Sequence, residues 1–307
     1  MNTDFMAHPG ERLRYNSSVF IRVHLWFHAA TEITDALTTM TATTEIPVDD
    51  SDVAAFSADG AVVLRGPFVD WVEILRAGVE RNIESPSADA RIYAGSGKGR
   101  HFGDYCNWQR IPEYREFVFE SPAARVAARL MNSRTVRLYH EHVLVKEPES
   151  DVPTPWHHDQ PYYNVDGTQT CSLWIPLDHV PRDTAIEFVA GSHRWGKWFR
   201  PDRFNKAPLN ADDGLEPVPD IDGHRGQYRI LGWEVAPGDA VAFNYLTLHG
   251  APANRQPTNR RRAFSLRVVG DDARWAVRKG VTSPPFPGVR LSHGAMMDAP
   301  EFPLLPA

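Results

Sequence analysis

A short stretch of polar and aromatic residues stands near the middle of the chain: Pro155-Trp156-His157-His158-Asp159-Gln160-Pro161-Tyr162-Tyr163. Within it, His157 and Asp159 are two residues apart. Successive side chains of an extended strand point to opposite faces, so these two share a face and His158 points away. Two histidines and one carboxylate on one side of a metal are the ligand set of non-haem Fe(II) oxygenases. The stretch therefore predicts two ligands of a metal site.

A third ligand must come from elsewhere in the chain, and His249 is the candidate. It follows an apolar run that ends at Leu248. A histidine two residues from an aspartate is weak evidence by itself, because strand histidines are more often packed or solvated than bound to metal. The metal prediction therefore depends on what accompanies these residues.

Composition excludes several classes of function. The net charge is −6 and the only basic block is Arg260-Arg261-Arg262, which argues against a nucleic-acid partner. The apolar stretch Ser18–His28 is too short for a membrane span and carries an arginine and two histidines, so no membrane partner is expected. The two cysteines, Cys106 and Cys171, fit neither a disulfide framework nor a metal site. A reducing compartment, the cytoplasm, is the expected location.

Short strands separated by turns dominate the second half of the chain. This pattern predicts a mainly β fold with flanking helices, built as a jelly roll or a barrel. The glycine-rich segment 94–102 lacks the terminal Lys-Ser/Thr of a phosphate-binding loop and is predicted to be a mobile loop. Strands are predicted at 60–66, 137–146, 155–159, 170–177, 185–189, 229–235, 239–245 and 262–269, and helices at 50–56, 69–83, 111–119 and 121–131.

The chain is predicted to have two parts. Residues 1–45 read as a loose N-terminal extension, and residues 46–307 as one domain. Met40 is a plausible protein start in its own right, so residues 1–39 are expected to contribute little to folding or activity.

Several stretches of the chain match one pattern together: Pro155-Trp156-His157-His158-Asp159-Gln160, Trp174-Ile175-Pro176-Leu177-Asp178, Ile186-Glu187-Phe188-Val189-Ala190-Gly191-Ser192-His193-Arg194, His249-Gly250 and Arg261-Arg262-Ala263-Phe264-Ser265-Leu266-Arg267. Taken together, they resemble one family, the phytanoyl-CoA dioxygenase-like Fe(II)- and 2-oxoglutarate-dependent oxygenases. The similarity covers about residues 50–275. One departure is Ala251, where members often carry a serine that bonds the cosubstrate; another is Thr184-Ala185 in place of Asn-Gly.

The resemblance implies a double-stranded β-helix, the jelly-roll core shared with cupins. It implies that His157, Asp159 and His249 bind Fe(II), with 2-oxoglutarate as cosubstrate and O2 as oxidant. The expected activity is a dioxygenase that hydroxylates a small organic molecule and releases succinate and CO2. On the same resemblance Trp174 lies near the cosubstrate and His142 lines the pocket. Candidates for the substrate wall are Tyr162, Tyr163, His101, Phe102 and Tyr105.

Arg261 is the predicted ligand of the distal carboxylate of 2-oxoglutarate. A guanidinium pairs with a carboxylate through two parallel hydrogen bonds, which a lysine cannot reproduce. Two ways of aligning this segment with the family give different answers. Aligning the stretch Arg262-Ala263-Phe264-Ser265 with the family pattern places the cosubstrate arginine directly before it, at 261. Counting residues from His249 favours Arg260 instead. Arg260 and Arg262 are then expected to lie in a solvated turn.

Two alternatives remain open at this stage. His140-x-His142-x4-Glu147 has the spacing of a cupin metal motif, although its flanking glycines are absent. The second alternative is a catalytically silent jelly roll that acts as a binding protein. Such a protein has no need to keep three metal ligands together with a cosubstrate arginine, which argues against this alternative.

Overall fold

The structure is a computed structural model that describes residues 47–94, 99–202, 207–210 and 214–307. The predicted extension, residues 1–45, lies outside the described residues, as do residues 95–98 of the glycine-rich segment. The two-part division of the chain therefore stays a prediction.

Four α-helices and sixteen strands form within the described ranges. The helices are α1 (Asp50–Asp59), α2 (Val72–Glu84), α3 (Pro112–Glu120) and α4 (Ala123–Met131). The strands are β1 (Ala61–Leu64), β2 (Arg91–Ala94), β3 (Arg100–Tyr105), β4 (Val136–Lys146), β5 (Thr154–His157), β6 (Val165–Asp166), β7 (Thr170–Pro176), β8 (Glu187–Val189), β9 (Phe199–Arg200), β10 (Glu216–Pro217), β11 (Ile230–Gly232), β12 (Ala240–Phe243), β13 (His249–Ala251), β14 (Arg261–Val269), β15 (Arg274–Trp275) and β16 (Leu304–Leu305).

Two antiparallel sheets make up the jelly roll. The large sheet has the strand order β1-β12-β7-β14-β4-β3-β2, and β16 adds to β4. The small sheet has the order β11-β8-β13-β5. Strands distant in sequence are neighbours in both sheets, as a double-stranded β-helix requires. The predicted fold class, mainly β with flanking helices and a jelly-roll core, is confirmed.

Side chains alternate between the two faces of the large sheet along its central strands, so that one face is hydrophobic and the other polar. On β14, Phe264 and Leu266 point into the main hydrophobic core, where Phe264 contacts Tyr114 and Phe117 of α3. The intervening Ser265 therefore points the opposite way. The helices thus cover one face of the large sheet, and the other face is left to line a cavity.

One hairpin of the large sheet was not predicted from the sequence. β2 and β3 pair antiparallel across the glycine-rich segment, so the predicted loop is wrong from Arg100 onward. The cavity side of β3 carries His101, Gly103 and Tyr105, which give no apolar alternation to detect. Among the described residues, no helix is long and apolar enough to cross a lipid bilayer.

Candidate metal centre

Two histidines of the small sheet lie side by side. His157 ends β5 and His249 begins β13, and the two residues are direct partners in the antiparallel register. Their ring centroids are 4.2 Å apart. Sheet pairing therefore brings together two side chains that are 92 positions apart in the sequence.

Asp159 joins the histidines by a different route from the predicted one. β5 ends at His157, and Asp159 has helical backbone angles at the start of a 3-10 helix, Gln160–Tyr162. The amides of Asp159 and Gln160 both donate to the carbonyl of Tyr245, at 2.8 and 3.2 Å, which fixes this turn. Strand alternation was thus the wrong reason for placing Asp159 beside His157, although the two side chains do meet.

The three side chains form a compact group with one ligand atom each, all within 4.8 Å of one another. Asp159 Oδ1 lies 3.5 Å from His157 Nε2 and 3.9 Å from His249 Nε2. No other group of this kind occurs among the residues that the structure describes. Two imidazole nitrogens and one carboxylate oxygen on one side of a point leave the other side open.

Backbone carbonyls hold both imidazoles in the tautomer that a metal needs. His157 Nδ1 lies 2.8 Å from the carbonyl oxygen of Pro155, and His249 Nδ1 lies 2.9 Å from that of Thr247. Because a carbonyl only accepts, each Nδ1–H is the donor, and in the neutral ring Nε2 keeps its lone pair toward the other ligands. Burial, and next the neighbouring His157, lower the pKa of His249 to about 3. Both rings are therefore presented as ligands.

The carboxylate also fits a cation. Asp159 is fully buried, and its Oδ2 has no hydrogen-bond partner among the described residues. Burial alone raises the pKa of this carboxyl, but Arg267 and then His157 hold it well below its usual range. The other oxygen, Oδ1, faces the two imidazoles and accepts a hydrogen bond from the Tyr162 hydroxyl. A buried carboxylate that stays ionised beside two imidazole nitrogens is suited to bind a metal ion. The residues present fit Fe(II).

His158 lies apart from this group. Its Nε2 accepts a hydrogen bond of 2.8 Å from the backbone amide of Phe199, and the ring is buried. The geometry agrees with the prediction that His158 points away from the metal ligands.

One cavity of about 610 Å³ opens beside the triad, and His157, Asp159 and His249 all line it. Arg261, Trp174 and His142 all line it. Among the candidates for the substrate wall, His101, Tyr105, Tyr162 and Tyr163 line the cavity as well. Phe102 does not, because it alternates with them on β3 and packs into the core under the helices. Its prediction as a wall residue is wrong.

Among the three consecutive arginines, Arg261 and Arg262 lie on opposite faces of β14, and Arg260 directly precedes the strand. Arg261 is 8% exposed and faces the cavity, where its guanidinium donates to the carbonyl of Thr184. Burial lowers its pKa to about 10. Arg260 and Arg262 point outward into an ion-pair cluster, so they do not lie in a solvated turn. Their carboxylate partners are Glu80, Glu147 and Asp178.

His142 stands in the cavity as a neutral imidazole. Burial, and next Arg267, lower its pKa to about 3. Its ring meets Tyr105 edge-on at 5.6 Å. Gly103 leaves the room for it, since a Cβ there would come within 3.3 Å of His142 Nε2.

Lys146 and Arg267 also line the cavity, although the sequence analysis assigned neither of them a role in the site. Strand alternation places Arg267 on the face of Arg261, and Lys146 on the face of His142, so the signal was present. The cupin alternative is not supported, because Glu147 binds Arg260 rather than joining His140 and His142.

The comparisons with known proteins agree with this site. The profile of the phytanoyl-CoA dioxygenase (PhyH) family matches residues 56–263. The chain belongs to the phytanoyl-CoA dioxygenase family. No curated protein matches it in sequence.

Several solved structures of non-haem oxygenases share the fold. SnoK, an α-ketoglutarate-dependent carbocyclase from nogalamycin biosynthesis, is 24% identical with a TM-score of 0.66, covering 84% of this chain and 97% of its own. The epimerase SnoN, solved with Fe3+, α-ketoglutarate and nogalamycin RO, is 21% identical with a TM-score of 0.66, covering 82% and 96%. EctD from S. alaskensis, solved with 2-oxoglutarate and 5-hydroxyectoine, is 20% identical with a TM-score of 0.61, covering 80% and 84%.

The predictions of family and fold are therefore confirmed. Iron with 2-oxoglutarate is the cofactor pair that the family and the His-Asp-His group support.

Proposed function

We propose that this protein is an Fe(II)- and 2-oxoglutarate-dependent dioxygenase that hydroxylates a small organic molecule. Per turnover, one substrate, one O2 and one 2-oxoglutarate give hydroxylated substrate, succinate and CO2. The observation that carries the proposal is the convergence of the triad and the buried Arg261 on one cavity.

The three ligands divide the work of holding the metal. His157 and His249 offer Nε2, with Nδ1 anchored to the backbone, and Asp159 offers a carboxylate oxygen. When bound, the iron supplies the oxidising chemistry that couples decarboxylation of 2-oxoglutarate to substrate oxidation. Because Asp159 occupies the carboxylate position, no ligand position is vacated for a halide, and oxygen insertion is proposed rather than halogenation.

The remaining predicted residues serve the cosubstrate. Arg261 grips the distal carboxylate of 2-oxoglutarate with its guanidinium fork. Trp174 forms a buried wall of the same cavity, and His142 faces it from β4. Enclosure by these side chains keeps water away from the reacting groups.

The substrate is proposed to be a small molecule of drug-like size. A cavity of about 610 Å³ lies within the range that such ligands occupy. Nogalamycin RO and 5-hydroxyectoine, bound to SnoN and EctD, are also small organic molecules. The cytoplasm remains the predicted location, since Cys106 and Cys171 are both free.

Succinate release tests the proposal. Purified protein is loaded anaerobically with Fe(II), then given 2-oxoglutarate and O2, and succinate is measured with and without a library of candidate substrates. We expect slow succinate release without substrate, faster release with a true substrate, and a product heavier by one oxygen atom. A chain that binds Fe(II) but releases no succinate under any condition would instead be a silent binding protein.

A further inference from the structure

Two buried cations lie together at one end of the cavity. Lys146 ends β4 and Arg261 begins β14, and they are direct partners in the antiparallel register. Their Cα atoms are therefore about 5 Å apart. Both side chains line the cavity, and Lys146 is only 3% exposed.

Neither cation has an anionic partner among the described residues. The Lys146 ammonium donates to the Thr154 hydroxyl at 3.2 Å and to the Pro252 carbonyl at 3.3 Å, and no carboxylate lies within 4 Å of it. Arg261 donates to the carbonyl of Thr184. Burying a charge without a counter-ion is costly, so a pair of such cations marks a place that an anion occupies.

The neighbouring cations are neutralised, which sets this end of the cavity apart. Arg260 and Arg262 pair with carboxylates outside the cavity, and Arg267 lies next to Asp159. Burial, and then the proximity of Arg261, lower the pKa of Lys146 well below its usual value. The charged form of Lys146 is therefore disfavoured in the protein alone, and an anion bound beside it would favour that form.

We propose that Lys146 is the second cation of the cosubstrate site and binds the distal carboxylate of 2-oxoglutarate together with Arg261. This inference rests on the proposed function. Arg261 binds the carboxylate with its planar fork, and the ammonium is a compact point charge that contacts it from the paired strand. The two contacts select 2-oxo acids that carry a second carboxylate.

A pair of ligands isolates this contact. 2-Oxoglutarate and 2-oxopentanoate have the same five-carbon chain and the same 2-oxo acid group, but only the first has a distal carboxylate. Their dissociation constants are measured by calorimetry on Fe(II)-loaded protein without O2, so that no turnover occurs. The variants are Lys146→Met, which removes the ammonium and keeps an unbranched side chain one atom shorter, and Arg260→Met, which removes a cation from the outer face.

Lys146→Met should raise the dissociation constant of 2-oxoglutarate about ten- to a hundredfold, because a charge-assisted hydrogen bond is lost. Its affinity for 2-oxopentanoate should stay within about twofold of wild type, since only hydrogen bonds to charged groups carry that cost. Arg260→Met should leave both affinities unchanged, and Lys146→Arg should recover part of the loss. If Lys146→Met weakened the binding of both acids equally, or left the binding of 2-oxoglutarate unchanged, the inference would be overturned.

Melting without cosubstrate separates binding from a structural role. An unpaired buried cation costs stability, so Lys146→Met should melt at or above the wild-type temperature. A variant that melts lower or does not fold would assign the ammonium a structural role and overturn the inference. Wild-type protein that fails to bind 2-oxoglutarate would refute the proposed function itself, whereas a wild-type-like Lys146→Met refutes only the role of Lys146.

Discussion

Arg267 Nε lies 3.7 Å from Oδ2 of Asp159, a residue of the candidate metal site, and both side chains are buried. Neither of these two atoms has a hydrogen-bond partner among the described residues. The guanidinium is the positive charge that keeps Asp159 ionised when no metal is bound. Arg267 is therefore a positioning residue for a metal ligand rather than a ligand itself.

Replacing Arg267 by methionine should destabilise the metal-free protein more than the metal-loaded protein. Removing one partner of a buried ion pair costs about 3–5 kcal/mol, because the remaining charge is left uncompensated. A bound divalent ion restores positive charge at Asp159 and reduces that loss. Urea unfolding of wild type and variant, with and without Ni(II), measures the difference.

Arg262→Met is the matched control for this experiment. It removes the ion pairs with Glu80 and Asp178 on the outer face of the same strand, which lie outside the candidate metal site. Its effect should be the same with and without the metal. An Arg267→Met variant whose loss of stability is unaffected by Ni(II) would contradict the coupling between Arg267 and the metal site.

Adjacent histidines provide a second comparison. His157→Ala should abolish iron binding, because it removes a ligand nitrogen from the triad. His158→Ala should bind iron but unfold more easily, by about 1–3 kcal/mol, because the buried amide of Phe199 loses its acceptor. Iron content by mass spectrometry, combined with denaturant unfolding of both variants, tests this. Iron retained in His157→Ala and lost from His158→Ala would reverse the assignment.

Much of this site could be read from the sequence, because ligand identity and strand alternation are local properties. Alternation predicts that Arg261 faces away from Arg260 and Arg262, and in the structure Arg261 lines the cavity whereas the other two pair with Glu80. The turn that carries Asp159 could not be read, since it depends on the distant carbonyl of Tyr245. The lack of a described anionic partner for Lys146 could not be predicted from the sequence either, because it depends on which groups surround the side chain in the folded protein.

Arg261 itself should control cosubstrate affinity. Arg261→Ala is expected to raise the apparent dissociation constant for 2-oxoglutarate about ten- to a hundredfold, since hydrogen bonds to a charged group contribute about 1.5–3 kcal/mol. Arg260→Ala and Arg262→Ala should leave it near wild type, because both side chains pair with outer carboxylates. Binding titrations of the three variants side by side decide the register. A large rise confined to Arg260→Ala or Arg262→Ala would show that the assignment is wrong.

A buried carboxyl outside the cavity should make stability depend on pH. Glu141 lies on the helix-facing side of β4, fully buried, and its Oε1 accepts from the amide of Asn107. Its Oε2 has no hydrogen-bond partner among the described residues, and burial raises the pKa to about 7. In the folded protein the carboxyl therefore stays protonated at a pH where the unfolded chain has lost the proton.

The sign of the effect follows from proton binding. Below the unfolded pKa both states are protonated, so Glu141 adds no penalty. Between about pH 4.5 and pH 7 the folded state holds one more proton than the unfolded state, and the free energy of unfolding falls as pH rises. The accumulated loss is about 3 kcal/mol above pH 7.

Glu141→Gln isolates this contribution from that of the buried histidines, which titrate in both proteins. The glutamine carbonyl can still accept from Asn107, and the side chain does not ionise. The difference in unfolding free energy, variant minus wild type, should be constant near pH 4 and grow by about 3 kcal/mol by pH 7.5. Denaturant unfolding at several pH values measures it, with the exposed Glu116→Gln as the control, which should show no such growth. A difference that does not change with pH would mean that Glu141 is ionised in the folded protein over this range.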